Sequence, residues 1–267
     1  MNGKILIVLS SANKLELADG KSMPTGFYLN EFGIPAERLA QAGYELVLAN
    51  PQGNTPSMDA SSDDASFFSK DEDLHQKIKS FVFSIPSFQA PRTLRAVLEA
   101  GLDEYAGIFI PGGHAPMQDL ICDLELGQIL KHFHQHSKPT AMICHGPAAA
   151  LSAQADPIAF LANLKAGRAA EATEWMYAGY KMTVFSNVEE RLNELKLPAH
   201  LLFHIESALK MAGAEMDVSL IPLQSKVVHD RELVTGQNPF SDGELSMRFL
   251  EMLEVRRQPL TLVADSA

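Results

Sequence analysis

The sequence predicts an α/β fold: a doubly wound, mostly parallel sheet flanked by helices, in a single domain. Two observations carry this. Short apolar runs rich in β-branched residues recur along the chain, each closed by a polar or Gly/Pro-containing loop, as strands buried on both faces require. Amphipathic helical patterns lie between these runs, and strands alternating with helices define the doubly wound class.

Taken in order, Ile5–Leu9 is apolar throughout and bounded by Lys4 and Ser10. Glu31–Ala42 follows as a helix, with Phe32, Ala36, Leu39 and Ala40 on one side. Tyr44–Leu48 is the next strand, closed by Ala49-Asn50-Pro51. The stretch 51–73 is polar, carries Asp59, Asp63, Asp64, Asp71, Glu72 and Asp73, and shows no clear periodicity. A loop of that length in a compact domain is usually functional or mobile. It reads either as a solvated excursion over a sheet edge or site rim, or as an acidic binding surface. Gly107–Ile110 is a strand closed by Pro111-Gly112-Gly113, and Leu124–His136 a helix with Leu126, Ile129, Leu130 and Phe133 at spacings of three and four. Thr140–Cys144 is a strand closed by His145-Gly146-Pro147. His204–Ala212 and Leu245–Val255 are further helices. The chain shows no repeat and no linker, so 1–257 reads as one domain and 258–267 as a partly ordered tail.

Composition narrows the class. Of 267 residues, 46% are hydrophobic and 21% charged, an ordinary soluble balance. Acidic residues number 33 against 22 basic, a formal charge of −11. That disfavours nucleic-acid binding, which needs clustered Lys and Arg, and docking on anionic lipid. The run at Ile5–Leu9 is too short for a secretory core or a membrane span, so a cytoplasmic location is expected. Two cysteines, Cys122 and Cys144, exclude a disulfide framework and a Cys-rich zinc site.

In a doubly wound sheet, ligands bind at the carboxyl ends of the strands. The segment Ala141–Pro147 ends a buried strand at Cys144 and turns into a helix through Gly146, the strand–nucleophile–helix arrangement of an exposed catalytic side chain. A thiol at a helix N-terminus has a lowered pKa; the competing reading is an inert buried cysteine. Cys122 has neither strand nor glycine turn and reads as packing. The Gly112-Gly113 pair lets backbone N–H groups approach a ligand, so Gly113 and His145 amides could form an oxyanion hole; a plain turn fits equally. Glu31 sits among apolar and aromatic neighbours. Burial would raise its pKa and suit it to proton transfer, whereas an exposed Glu31 would simply complement the helix dipole. His132, His134 and His136 share a helix without metalloprotease spacing and read as a solvated face.

Together, in this order, these segments resemble the PfpI-like superfamily, which shares the flavodoxin-like fold of class I glutamine amidotransferases. Within it they resemble the heat-shock-type, glutathione-independent glyoxalase III and chaperone subgroup. The resemblance spans most of the chain, through Gly26–Glu31, Pro111–His114 and Ala141–Pro147 to Leu233–Pro239. It implies Cys144 as nucleophile, His145 as triad histidine and Glu31 as the carboxyl that contacts the thiol and shuttles protons. It implies a triad acid within Phe185–Glu190, with Glu190 the better aligned and Glu189 the fallback. Gly113 and the His145 backbone would form the oxyanion hole. Asp230-Arg231-Glu232 stands where the subgroup often has Asp-Gly, so a different hairpin turn is expected, because Gly supplies positive φ most readily. Some members bind zinc through the His of Pro-Gly-Gly-His; His114 aligns, but with no other ligand placed neither metal nor organic cofactor is expected.

The implied activity is conversion of methylglyoxal and water to D-lactate. Other readings are a holdase for unfolded protein clients, for which the 11 methionines are weak support, a protein deglycase, and a peptidase or amidase using the same thiol. Glutamine amidotransfer is disfavoured, because the one late His-x-Glu, His204-Ile205-Glu206, lies in a helical pattern. The resemblance also implies a homodimer.

Overall fold

The structure is a computed structural model, and it describes residues 2–257. The expected tail, 258–267, lies outside the described residues. Strands occupy β1 (Lys4–Val8), β2 (Lys14–Glu16), β3 (Ser22–Pro24), β4 (Glu45–Asn50), β5 (Arg92–Thr93), β6 (Tyr105–Ile110), β7 (Thr140–Ile143), β8 (Lys181–Met182), β9 (Glu215–Met216), β10 (Val227–Asp230) and β11 (Leu233–Gly236). Helices occupy α1 (Leu29–Gln41), α2 (Glu72–Ser84), α3 (Leu94–Ala100), α4 (Leu124–Gln135), α5 (Pro157–Lys165), α6 (Asn187–Glu194), α7 (Ile205–Ala212) and α8 (Asp242–Arg257).

Seven strands form one sheet in the order β10-β11-β7-β6-β1-β4-β5. All pairings are parallel except β10 with β11. The β1 sequence shows why it is central. Ile5, Ile7 and Leu9 join the apolar cluster on one face and Leu6 and Val8 the cluster on the other. A run apolar at every position is what a strand covered on both sides needs. The chain builds outward from β1 through β4 to β5, then returns to its other side with β6, β7 and β11. The carboxyl ends of β6 and β7 thus flank a crossing point of the topology, where such sheets bind ligands.

The excursion 51–73 is a rim of the site, built of ordered turns. Its acids serve as caps: Asp59, Asp64 and Asp71 accept from the amides of Ser61, Ser66 and Leu74. Asp63 pairs with Lys79 and His75 at 2.6 and 2.8 Å. The excursion holds the approach to α1, since Phe27 N–H donates to Ser57 O, Asp59 N–H to Phe27 O, and Leu29 N–H to the Ser62 hydroxyl. Gly26 is required there, because a Cβ would lie 2.1 Å from Ser57 O.

Three local expectations are corrected. The helix expected after Cys144 is a buried 3-10 stretch, Gly146–Ala153. The Asp230–Glu232 turn keeps positive φ without glycine: Arg231 adopts φ +56°. Its guanidinium stacks on the Tyr180 ring at 3.2 Å and pairs with Asp230 at 2.9 Å, contacts that offset the local strain. The α4 histidines are not a uniformly solvated face: His134 pairs with the buried Glu232 at 2.7 Å, while His132 and His136 stack on one another at 4.1 Å. Among the described residues, no helix is long and apolar enough to cross a membrane.

Candidate active site

Cys144 stands one residue past β7 with φ +59°, in the left-handed region. A non-glycine residue held there costs about 1–3 kcal/mol and marks a position fixed by its surroundings. The turn that holds it has no room for Cβ atoms. At Gly146 one would meet Ile110 O at 2.4 Å. At Gly112 one would lie 2.6 Å from both Cys144 Cβ and Glu31 Oε2. Gly113 has φ +80°, and a Cβ there would strike Gly26 O at 2.0 Å. Both expected turns therefore meet around one thiol, with Glu31 on the third side.

The sulfur is 3.3 Å from His145 Nδ1. His145 Nε2 is 2.6 Å from Glu190 Oε2. An ionised carboxylate only accepts, so Nε2 carries the proton and the Nδ1 lone pair faces the thiol. Burial, helped by the neighbouring His114, holds the His145 pKa below its usual value. Burial alone would raise Glu190, but the two imidazoles of His145 and His114 keep it well below the ordinary carboxylate value. His114 takes the other oxygen, with Nε2 3.1 Å from Oε1. Its pKa is raised, because attraction to Glu190 outweighs burial.

Of the adjacent pair, Glu190 is the acid that reaches the imidazole. Glu189 closes a capping box with Ser186 and accepts from Leu223 N–H, Gln237 and Asn238. It holds together the segments around the site.

Glu31 has no exposed surface, which removes the exposed-dipole reading. Asn30 pins the start of α1 by donating to Pro239 O at 2.7 Å and to Asp242 at 2.8 Å. The next side chain is thereby turned inward under Gly112 and Cys144. Both carboxyl oxygens lie within electrostatic reach of the thiol and the Gly112 and Gly113 amides, yet meet no partner at hydrogen-bond geometry. Burial pushes the Glu31 pKa up to about 8. The expected low-pKa thiol is corrected by the same environment. Cys144 is 4% exposed, and burial, then the carboxyls of Glu31 and Glu190, raise its pKa well above 9. Three effects of one sign outweigh the opposing Gly113 amide and the weak dipole of a short 3-10 stretch. The resting site therefore holds a thiol, a neutral imidazole and a protonated Glu31 at neutral pH.

The Gly113 amide lies close enough to Cys144 and Glu31 to oppose the rise of both pKa values. Among the described residues, His114, His145 and Glu190 are the group of donors close enough to chelate an ion, with ligand atoms within 4.8 Å of one another. In the structure Glu190 answers both imidazoles. Cys122 is apart from this constellation, with its sulfur 3.9 Å from Asp119 O.

The site opens into a cavity of about 610 Å³ whose walls include Tyr28, Phe67, Phe185, Leu192 and Phe240. None of these was legible as a site residue. They are ordinary apolar side chains in sequence, and only the closing of 51–73 and α6 over the sheet brings them together. His114 was legible as the residue after Gly112-Gly113, but its hold on Glu190 was not.

A family model described as the DJ-1/PfpI family matches residues 23–157, which contain Glu31, the Gly112–His114 turn and Cys144. The chain belongs to the DJ-1/PfpI family. Within this family it is 23% identical over 249 residues to a protein/nucleic acid deglycase HchA of Pseudomonas aeruginosa, covering 91% of this chain and 78% of that one. It is 27% identical over 251 residues to the protein of the same name in Staphylococcus aureus, covering 91% and 77%. Among solved structures, glyoxalase III from Candida albicans superposes with a TM-score of 0.68 at 23% identity, over 94% of this chain and 97% of that one. That likeness bears on the fold. The DJ-1/PfpI sheet and flanking helices match the single-domain architecture described above.

Proposed function

We propose that this chain is a glutathione-independent α-oxoaldehyde hydro-lyase of the glyoxalase III type, converting methylglyoxal and water to D-lactate in the cytoplasm. The observation that carries it is a buried thiol placed between a neutral imidazole acceptor and a protonated carboxyl. Each group is in the state the first steps need.

The Cys144 proton passes to His145 Nδ1 over 3.3 Å as sulfur attacks the aldehyde carbon. The negative oxygen formed is met by the Gly113 and His145 amides. Glu190 stabilises the imidazolium and keeps the ring in the useful tautomer. Glu31 protonates the adjacent ketone oxygen. Its carboxylate then takes the proton from the former aldehyde carbon to give an enediol, and the resulting carboxyl, which exchanges its proton with solvent before the enediol collapses, protonates the neighbouring carbon. A carboxyl with a pKa of about 8 both gives and accepts a proton near neutrality. At the thioester His145 still holds the thiol's proton and Glu31 is ionised; transfer of that proton from His145 to Glu31 resets both, and water activated at the neutral His145 then hydrolyses the thioester, releasing the hydroxy acid and returning the proton to the sulfur. No organic cofactor is required for this sequence.

The same chemistry run on a glycated thiol or amine would make the chain a deglycase, and relatives carrying that name support this second reading. A holdase role is separable, since it would survive loss of the thiol. The test uses purified protein with methylglyoxal and no glutathione. Lactate formation that disappears in Cys144→Ala supports the proposal, and formation that persists overturns it.

A further inference from the structure

The chemistry described above needs space for a very small molecule, and the cavity is much larger. Methylglyoxal is little bigger than three water molecules at about 30 Å³ each, against a cavity of about 610 Å³. A volume of that order suits a ligand with a ring or a chain. The surplus space is apolar and aromatic. Phe67 meets Tyr28 edge-on at 5.4 Å and Phe240 at 6.0 Å, making a continuous wall of three rings. Phe185 also lines the cavity and packs on His145 at 4.9 Å. Leu192 and Leu223, each 50% exposed, complete the lining. Phe240 is itself 43% exposed. Large apolar side chains left in water around a reactive centre are best explained by a ligand that covers them.

We propose that the preferred substrate class is α-oxoaldehydes bearing an aromatic or bulky apolar substituent, with the substituent against the Tyr28–Phe67–Phe240 wall. This rests on the reading of Cys144 as nucleophile toward α-oxoaldehydes. The reaction is unchanged. Sulfur adds to the aldehyde carbon, one hydrogen moves to the neighbouring carbon, and one water releases an aryl hydroxy acid, with no oxidant or reductant consumed.

Burying a ring on this wall should favour the aryl aldehyde by about tenfold or more in kcat/KM. The experiment compares phenylglyoxal with methylglyoxal on the wild type and on Phe240→Ser and Leu223→Ser. Both positions are half exposed, so neither change costs much stability. A second arm measures binding of mandelate and of lactate, the two products, to Cys144→Ala by calorimetry. The proposal predicts a phenylglyoxal-to-methylglyoxal ratio of about ten or more. It also predicts that the ratio falls severalfold in both serine variants, and that mandelate binds about tenfold more tightly than lactate. A ratio near or below one, or one that the serine changes leave in place, would overturn it. If neither aldehyde is turned over, the reading of the reaction fails, and the binding arm alone decides the proposal. Tighter mandelate binding then supports an aryl pocket, and equal binding of the two acids rejects it.

Discussion

Glu31 offers the most quantitative test, because its state is tied to pH by burial. Its carboxyl is raised from 4.5 to about 8 in the folded protein. In the unfolded chain it ionises near 4.5. Between these values the native state binds the extra proton, so stability falls as pH rises. Each pH unit in the window costs about 1.4 kcal/mol, or about 5 kcal/mol across the whole of it. The contribution is fully present below pH 4.5 and is lost by pH 8. Glu31→Gln keeps the shape and removes the titration. Cys144, whose pKa lies well above 9, stays protonated in both proteins over this range and cancels. Urea unfolding of wild type and Glu31→Gln at half-unit steps from pH 5 to pH 8 reads the difference directly. The stability of Glu31→Gln relative to wild type should climb by about 1.4 kcal/mol per unit and level off above pH 8. Two parallel curves would refute the argument, since they would mean that Glu31 is ionised or solvated in the native protein.

Other consequences concern neighbouring groups. Alkylation of Cys144 by iodoacetamide should keep accelerating beyond pH 9, and Glu31→Gln should alkylate faster than wild type at pH 9, where Glu31 is ionised and its charge raises the thiol pKa; a plateau below pH 8 in the wild type would count against this. Glu190→Gln should lower kcat about 100-fold or more by releasing His145, whereas Glu189→Gln should retain kcat within a few-fold and lower the melting temperature through its lost cap and buried partners; the reverse pattern would exchange their roles. Gly112→Ala should destabilise the fold by about 1–3 kcal/mol and impair the site, because its Cβ would press on Cys144 and Glu31; an unchanged melting temperature would show that the turn can open.

How much of this was legible in the sequence depends on the range of the interactions. The sheet was, because each central strand announces itself by an apolar run such as Ile5–Leu9, whatever surrounds it. The Cys144 turn was too, because Gly146 and the Gly112-Gly113 pair are local requirements of close backbone approach. The protonation states were not. A thiol beginning a helix suggests a low pKa, but burial and two carboxyls brought from 113 residues upstream and 46 downstream reverse it. Glu31 likewise looked like an exposed dipole partner until Asn30, anchored on Pro239 and Asp242, turned it inward. The choice between Glu189 and Glu190 was legible in principle. Ser186 three residues ahead of Glu189 is a capping-box pattern, and it assigns Glu189 to the helix start and leaves Glu190 for the histidines. Arg231 shows the opposite case, where side-chain contacts let a non-glycine residue occupy a turn that local preference reserves for glycine.

The most direct test of the central claim follows methylglyoxal and purified protein in D2O by NMR, without glutathione, for wild type, Cys144→Ala and Glu31→Gln. The account predicts D-lactate from the wild type with deuterium appearing at its second carbon, carried there by the exchangeable Glu31 carboxyl, and no lactate from either variant. Lactate formed at the wild-type rate by Cys144→Ala or by Glu31→Gln would contradict it.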